Sequence, residues 1–401
     1  MDELHLTYAL VGSLAVVLAA LSTRIRDLPF SEPLAALLLG VLVGPQLLGV
    51  VELGDDVRSR LLLEAARVLL AVSLMGVALR YPVRRLRPVV PPTAVLVTVA
   101  MVAMAAVSAG LAWLILGVPL ALAALIGACT CPTDPVLASS VVTGQPAEEH
   151  LPVRMRQVLS VESGANDGLA LPLVVLGIAL AAHGSLGHAA LDGLYQVLVG
   201  VGVGVATGLV AGRAMSYAAG HSDVDRGSSL VFTLVLAVAV LGITRILDAD
   251  GVLAVFVAGL AYNYAVAEDQ VGPQDTIDEA VNRYLVLPLF LLLGTELPWS
   301  DWAELGWGAV VLPVAVLLLR RPPVLLALAR PLGLRLRDAV FLGWFGPVGV
   351  SALFYVTSSA EEGVTDPRLW AAVSLVVTAS TVVHGVSSTP GRHLYRRAAD
   401  R

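Results

Sequence analysis

Stretches of about 20 apolar residues, each long enough to cross a bilayer as a helix, follow one another almost without pause along this 401-residue chain. Thirteen can be delimited, at 4–22, 31–51, 60–79, 89–115, 119–144, 156–182, 188–217, 228–247, 250–266, 280–298, 303–329, 338–358 and 368–389. Hydrocarbon offers no partner to an exposed backbone N–H or C=O, so runs of this kind are satisfied only as helices. The expected class is therefore an all-α polytopic membrane protein of about 13 transmembrane helices. Composition agrees: 57% of residues are hydrophobic and 14% charged, against about a quarter charged in soluble domains. The loops are short, so residues 1–401 are expected to form a single membrane domain with no soluble domain, and the work is expected inside the bilayer. The first stretch does not read as a signal peptide. Its leader Met1-Asp2-Glu3 is acidic, its apolar run is long, and no small-x-small cleavage site follows.

The basic residues narrow the possibilities. All 25 are arginine. Without lysine there is no Walker A phosphate loop and no Schiff-base amine, which argues against ATP-driven pumping and against a pyridoxal cofactor. No cofactor is expected. The net charge of −6 and the lack of a basic patch with interleaved aromatics give no reason to expect nucleic acid. With the N-terminus outside, 18 arginines fall in inner loops and 3 in outer loops. That asymmetry predicts an external N-terminus, a cytoplasmic C-terminus and an odd number of spans. Cys129 and Cys131, one residue apart in an apolar run, read as packing residues rather than a disulfide or zinc site.

Two spans are interrupted at their centres. The fifth carries Cys131-Pro132-Thr133-Asp134-Pro135 and the twelfth Gly346-Pro347-Val348-Gly349. Proline removes a backbone donor and glycine permits unwinding. The two lie seven spans apart, so they run in opposite directions. Paired broken helices in inverted halves point to the midplane site of a secondary transporter.

Intramembrane carboxylates are costly and default to function. Asp134, before Pro135, has the form of an N-cap to a second half-helix. Serine or threonine could cap at lower desolvation cost, which favours an added ion-binding role. The sixth span carries Glu162-Ser163-Gly164-Ala165-Asn166-Asp167-Gly168. Ser163 and Asp167 share one helix face; Glu162 and Asn166 share the neighbouring face. Counting back from the connecting loop at 1.5 Å per residue, Asp134, Ser163, Asn166 and Asp167 fall at one depth. Hard oxygen ligands of this type suit a small hard cation, and a proton would compete with it for a dry carboxylate. Glu162 needs a cationic partner. Arg320 and Arg321 are the candidates, unless they sit at the inner membrane edge and only mark topology.

Thr133-Asp134-Pro135-Val136-Leu137-Ala138-Ser139 followed by Glu162-Ser163-Gly164-Ala165-Asn166-Asp167-Gly168 resembles the monovalent cation/proton antiporter superfamily, in its NhaP/NHE-like sodium/proton exchanger branch. Weaker matches are Gly251–Leu260, Leu292-Leu293-Gly294, Arg321-Pro322, Gly343-Trp344-Phe345-Gly346-Pro347 and His384-Gly385, and the likeness runs over roughly 30–390. The resemblance implies an NhaA/NapA-like antiporter fold of inverted repeats with two unwound crossing helices. Core helices would lie at about 89–182 and 303–389, with dimerisation or scaffold helices at about 1–51 and 188–298. It implies a homodimer in the plasma membrane that exchanges a monovalent cation (Na+ first, Li+ or K+ as alternatives) for H+. Asp134 and Asp167 would carry cation and proton, Ser163 and the Thr133 carbonyl would add oxygens to a Na+ site, and Asn166 would support them. Glu162 would pair with Arg321, whose Arg-Pro context matches. The Asn-Asp form and the missing lysine imply one-for-one exchange. Two departures stand out: Val348 replaces an arginine usual in the family, and Ser73-Leu74-Met75-Gly76-Val77 lacks a glutamate that many relatives carry.

Other classes fit less well. A cation channel needs a continuous pore. A membrane protease or lipid hydrolase would show His-Glu-x-x-His or Gly-x-Ser-x-Gly, and neither occurs. A sodium-coupled organic-anion symporter needs an anion-accepting group that no residue supplies. His384 reads as a hydrogen-bonded packing histidine, Glu296 and Trp299 as an interfacial anchor, and Gly200, Gly202, Gly204, Gly208 and Gly212 as a close-packing stripe.

Overall fold

The computed structural model describes residues 31–50, 54–219, 226–266 and 286–399, together with Gly12, Ser13 and Val16. Most of the first apolar stretch (4–22) and the start of the tenth (280–298) lie outside the described residues. The described residues are helical throughout, with no strand. In chain order the helices are α1 (Glu32–Val43), α2 (Asp55–Leu79), α3 (Arg87–Leu116), α4 (Leu120–Thr130), α5 (Pro135–Val142), α6 (Gln145–His150), α7 (Val153–Ala181) and α8 (Leu186–Ala219). There follow α9 (Arg226–Ile246), α10 (Gly251–Ala265), α11 (Leu287–Thr295), α12 (Trp299–Glu304), α13 (Gly308–Ala327), α14 (Leu336–Trp344), α15 (Val350–Glu361) and α16 (Pro367–Ala399). Seven helical segments among the described residues are long and apolar enough to cross a membrane, and a multi-pass membrane protein is the result.

Local chemistry sets the boundaries. α3 ends at Gly117, whose φ of +62° closes the last turn with a bond from its N–H to the Trp113 carbonyl (3.1 Å). Pro119 then starts α4. α16 starts where the Asp366 carboxylate accepts from the Arg368 N–H (3.0 Å). The Arg368 side chain hydrogen-bonds the same carboxyl and holds it below the usual range. In α13 the residues Val316–Arg320 form a π-helical turn just before Pro322-Pro323. The two prolines supply no N–H to the preceding turn, so the helix widens there.

Without water to squeeze out, membrane helices associate through close backbone contact at small residues. α8 and α10 are joined in this way. A methyl group added at Gly200 would lie 2.7 Å from the Asp250 carbonyl; at Gly204, 2.5 Å from that of Ala254; at Gly212, 2.7 Å from the Ala265 side chain. At Gly208 it would run into the Ala258 carbonyl. These four are spaced by four residues and form one face. Gly202 lies off that face with open space beside it, so it is not part of the stripe. α1 and α11 cross in the same manner, where a Cβ at Gly294 would sit 2.9 Å from the Gly40 Cα. On α7, Gly164 and Gly168 admit Phe256 and Leu253 of α10.

Gly208→Val is expected to destabilise the α8–α10 contact by ~1–3 kcal/mol, the usual cost of overpacking. Gly202→Ala should leave stability unchanged. Thermal unfolding of the two purified variants in detergent separates these outcomes.

Candidate functional site

Both proline-glycine segments interrupt helices. α4 stops at Thr130 and α5 starts at Pro135; α14 stops at Trp344 and α15 starts at Val350. The two gaps lie against each other, joined by a hydrogen bond from the Asp134 N–H to the Pro347 carbonyl (2.9 Å). Four helix ends therefore meet inside the protein: two N-termini with unbonded N–H groups and two C-termini with unbonded carbonyls. Their partial charges, about half an elementary charge each, have no water to screen them.

Asp134 serves both N-termini. Its Oδ1 accepts from the N–H groups of Val136 (2.6 Å) and Leu137 (3.1 Å) in α5. Its Oδ2 accepts from Val350 N–H, the first residue of α15. Gly349 permits the approach, since a Cβ there would stand 2.7 Å from the Asp134 carboxyl carbon.

Arg320 serves both C-termini. Its Nη1 donates to the carbonyls of Thr130 (2.6 Å), Cys131 (3.1 Å) and Pro132 (3.1 Å) at the end of α4. Its Nη2 donates to the Gly346 carbonyl just beyond α14. Sequence reasoning missed this role. It weighed Arg320 as a partner for Glu162 and both arginines as edge markers, and both readings are corrected here. Arg320 and Arg321 are fully buried, and Arg320 bonds only main-chain carbonyls. The signal available was proximity to a broken helix and the want of any other cation, because Val348 occupies the position where an arginine was expected. Val348 is buried, and its N–H donates to Ser380 Oγ (2.9 Å).

Glu162 is held by Arg321 in a forked pair, Nη1 to Oε1 at 2.5 Å and Nη2 to Oε2 at 2.8 Å, while Arg321 Nε donates to the Leu342 carbonyl (2.8 Å). This pair ties α7 to α13 and to α14.

The remaining residues link α7 to the α4–α5 gap. Asn166 Oδ1 accepts from the Thr133 N–H (3.2 Å), and its Nδ2 donates to Thr133 Oγ1 (2.8 Å). Thr133 Oγ1 is 3.2 Å from Ser163 Oγ. Asn166 thus makes both of its side-chain hydrogen bonds to Thr133 and holds the gap in register. Asp167, the next residue, is fully buried, and neither of its carboxylate oxygens has a hydrogen-bond partner. The Ser351 hydroxyl lies beside the carboxylate, poised to donate to it. Asp134 and Ser351 flank the start of α15, so the two aspartates are close enough to interact electrostatically. All five residues read from the sequence as a cation site are brought together here.

α7 is interrupted at Ala170, two residues before Pro172, for a visible reason. Pro172 has no N–H for the Gly168 carbonyl. The Tyr355 hydroxyl of α15 donates instead to the Asp167 carbonyl, with the Gly168 carbonyl 3.5 Å away. His384 packs as expected, its Nδ1 2.9 Å from the Ser380 carbonyl and its Nε2 2.9 Å from the Trp344 carbonyl at the end of α14. Cys129 and Cys131 are buried free thiols.

Glu162→Ala would leave Arg321 charged and buried without a counter-ion, at ~3–5 kcal/mol. Arg320→Lys keeps the charge and loses the fork that spans two helix ends. The expected outcome is poor yield and a strongly lowered melting temperature for Glu162→Ala, and normal yield with a smaller drop in melting temperature for Arg320→Lys. Detergent thermal shift of the two purified variants distinguishes them.

The family model described as "Sodium/hydrogen exchanger, transmembrane" matches residues 12–391. The Na(+)/H(+) antiporter 2 of Zygosaccharomyces rouxii is 32% identical over 376 residues, which is 89% of this chain and 46% of that protein. The Na(+)/H(+) antiporter of Saccharomyces cerevisiae is 30% identical over 438 residues, 98% of this chain and 44% of the yeast protein. The chain spans about half the length of the curated relatives it matches. Among solved structures, the sodium proton antiporter MjNhaP1 of Methanocaldococcus jannaschii at pH 8 superposes with a TM-score of 0.77 at 18% identity, covering 98% of each chain. Its likeness establishes a shared fold. With a family model covering nearly its whole length and broken helices meeting over a buried Asn-Asp pair, the chain belongs to the transmembrane sodium/hydrogen exchanger family.

Proposed function

We propose that the chain is a secondary antiporter that exchanges sodium for protons, one for one, with Asp167 as the group that alternately holds the two ions. The observation that carries this reading is the unpartnered Asp167 carboxylate, fully buried between helix breaks. An ionised carboxylate without partners in a dry site is costly. It is relieved by a proton or by a cation, and the two exclude one another. Asp134 is not equivalent. Three main-chain N–H groups already occupy its oxygens, so it supplies negative charge and one face of the site while Asp167 exchanges its ligand. The Ser163 and Thr133 hydroxyls, now paired with each other, and the Thr133 carbonyl would add oxygens to a sodium shell.

The same reading places the protein in the plasma membrane as a homodimer of 13-helix protomers, with the N-terminus outside and α5 and α15 belonging to crossed, unwound helices of inverted repeats. The core would comprise about 89–182 and 303–389, moving against a scaffold of about 1–51 and 188–298. Only occupied states should move, because an empty buried charge is costly to carry. Asn166 in place of a second carboxylate, and the absence of lysine, leave one exchangeable charge per cycle. That supports electroneutral exchange.

Proteoliposomes with an imposed pH gradient and added Na+, Li+ or K+ test this. Sodium is expected to dissipate the gradient, Asp167→Asn to abolish the effect, and a valinomycin clamp of the membrane potential to leave the rate unchanged. Dissipation by potassium alone would assign a K+/H+ antiporter. No response to any cation, or full activity in Asp167→Asn, would overturn antiport at this site.

A further inference from the structure

A cavity of about 260 Å³ opens between α2, α7, α8, α9, α10 and α15. It lies off the ion pair and the helix breaks, and exchange at Asp167 does not account for what lines it. Asp250, Gln196, Thr244, Tyr355 and Ser358 supply its polar wall. Asp250 caps α10: its Oδ1 accepts from the Leu253 N–H (2.9 Å), and its own N–H donates to the Gln196 carbonyl (3.1 Å). Its Oδ2 has no hydrogen-bond partner, although the residue is only 4% exposed. A cap needs one oxygen, which asparagine or serine provides without a charge. Burying a carboxylate and leaving half of it unpartnered calls for another role.

The cavity also reaches toward Asp167. Tyr355, which lines it, is the residue whose hydroxyl donates to the Asp167 main chain. Ser351, Tyr355, Ser358 and Glu362 follow at spacings of four, three and four, which sets them along one face of α15. Ser351 lies beside the Asp167 carboxylate, and Ser358 and Glu362 line the cavity. Asp192, Asp250 and Glu362 contribute three carboxylates to the walls against the guanidinium groups of Arg67 and Arg245. Arg67 is engaged by Glu64 and lies over the Phe354 ring, 5.6 Å from its centroid. The remaining field favours a cation.

We propose that this cavity is a second cation station, with Asp250 Oδ2 as its anionic ligand, from which the cation passes along the Ser358–Tyr355–Ser351 face of α15 to Asp167. The station takes a monovalent cation with part of its water, because the wall offers one dedicated carboxylate oxygen and hydroxyls rather than a closed shell. It opens at the end of the bundle where Asp192, Arg245 and Glu362 are exposed, the outer end in the proposed orientation. The inference rests on the exchange reading.

The test is Asp250→Asn, which keeps the cap and removes the charge, measured in vesicles of right-side-out and everted orientation. The half-saturating sodium concentration at the outer face should rise about ten-fold, the effect of losing one charged ligand, while the value at the inner face and the melting temperature stay unchanged. In a Ser358→Cys background, sodium should slow labelling by an impermeant thiol reagent, and Asp250→Asn should remove that protection. Wild-type kinetics in Asp250→Asn at both faces, or sodium protection that survives the substitution, would show that Asp250 only caps α10 and would overturn the station. An inactive wild-type protein would instead overturn antiport itself.

Discussion

Four helix ends that meet away from water are the constraint on which the rest of this structure depends. Two N-termini leave N–H groups unbonded and two C-termini leave carbonyls unbonded, in a place where neither solvent nor salt can screen them. The chain answers with one anion and one cation. Asp134 accepts from both N-termini, and Arg320 donates to both C-termini. Each is satisfied by main chain alone, and each bridges two segments far apart in sequence. The broken helices are therefore stable only as a pair. Removing either charge would expose both sets of ends, so the assembly should respond as a unit rather than as two independent breaks.

Against that neutralised frame, Asp167 is conspicuous. Every other charge at this depth has found partners: Glu162 the Arg321 fork, Asp134 three amides, Arg320 four carbonyls. Asn166 spends its amide on Thr133. The neighbouring aspartate alone among these groups is left with two unpartnered oxygens. The surrounding bonds hold its position without consuming its acceptors. Under the proposed exchange, a single deficit beside tightly satisfied neighbours lets a rigid site take up and release an ion.

Much of this was legible in the sequence, and the limits have physical causes. Hydrophobic run length gives the membrane class. Proline and glycine at span centres mark the breaks, because their effect is local and covalent. The i, i+4 spacing of Ser163 and Asp167 puts them on one face wherever the helix goes. The division of labour between Arg320 and Arg321 was not legible. Adjacent residues on a π-widened turn point to different neighbours, and which carbonyls lie within reach depends on how α13 crosses α4 and α14. The departure of Gly202 from the glycine stripe could have been read, since it breaks the four-residue spacing. Nothing in the sequence singles out Asp250, since aspartate before a helix is a common cap, and only the folded chain shows that one of its oxygens has no partner.

The arrangement also bears on why Val348 is tolerated. A cation is needed near the carbonyl ends of α4 and α14, but nothing in electrostatics requires it to come from the broken helix itself. Arg320 reaches both ends from α13, whose π turn is opened by the two prolines that follow. A second guanidinium at position 348 would have to share carbonyls already bonded and would sit within the field of the first, at a cost that like charges in a low dielectric make large. Valine there fills space instead, and its N–H is taken up by Ser380. The position of the charge in the chain is thus free to change, provided that its position in space does not.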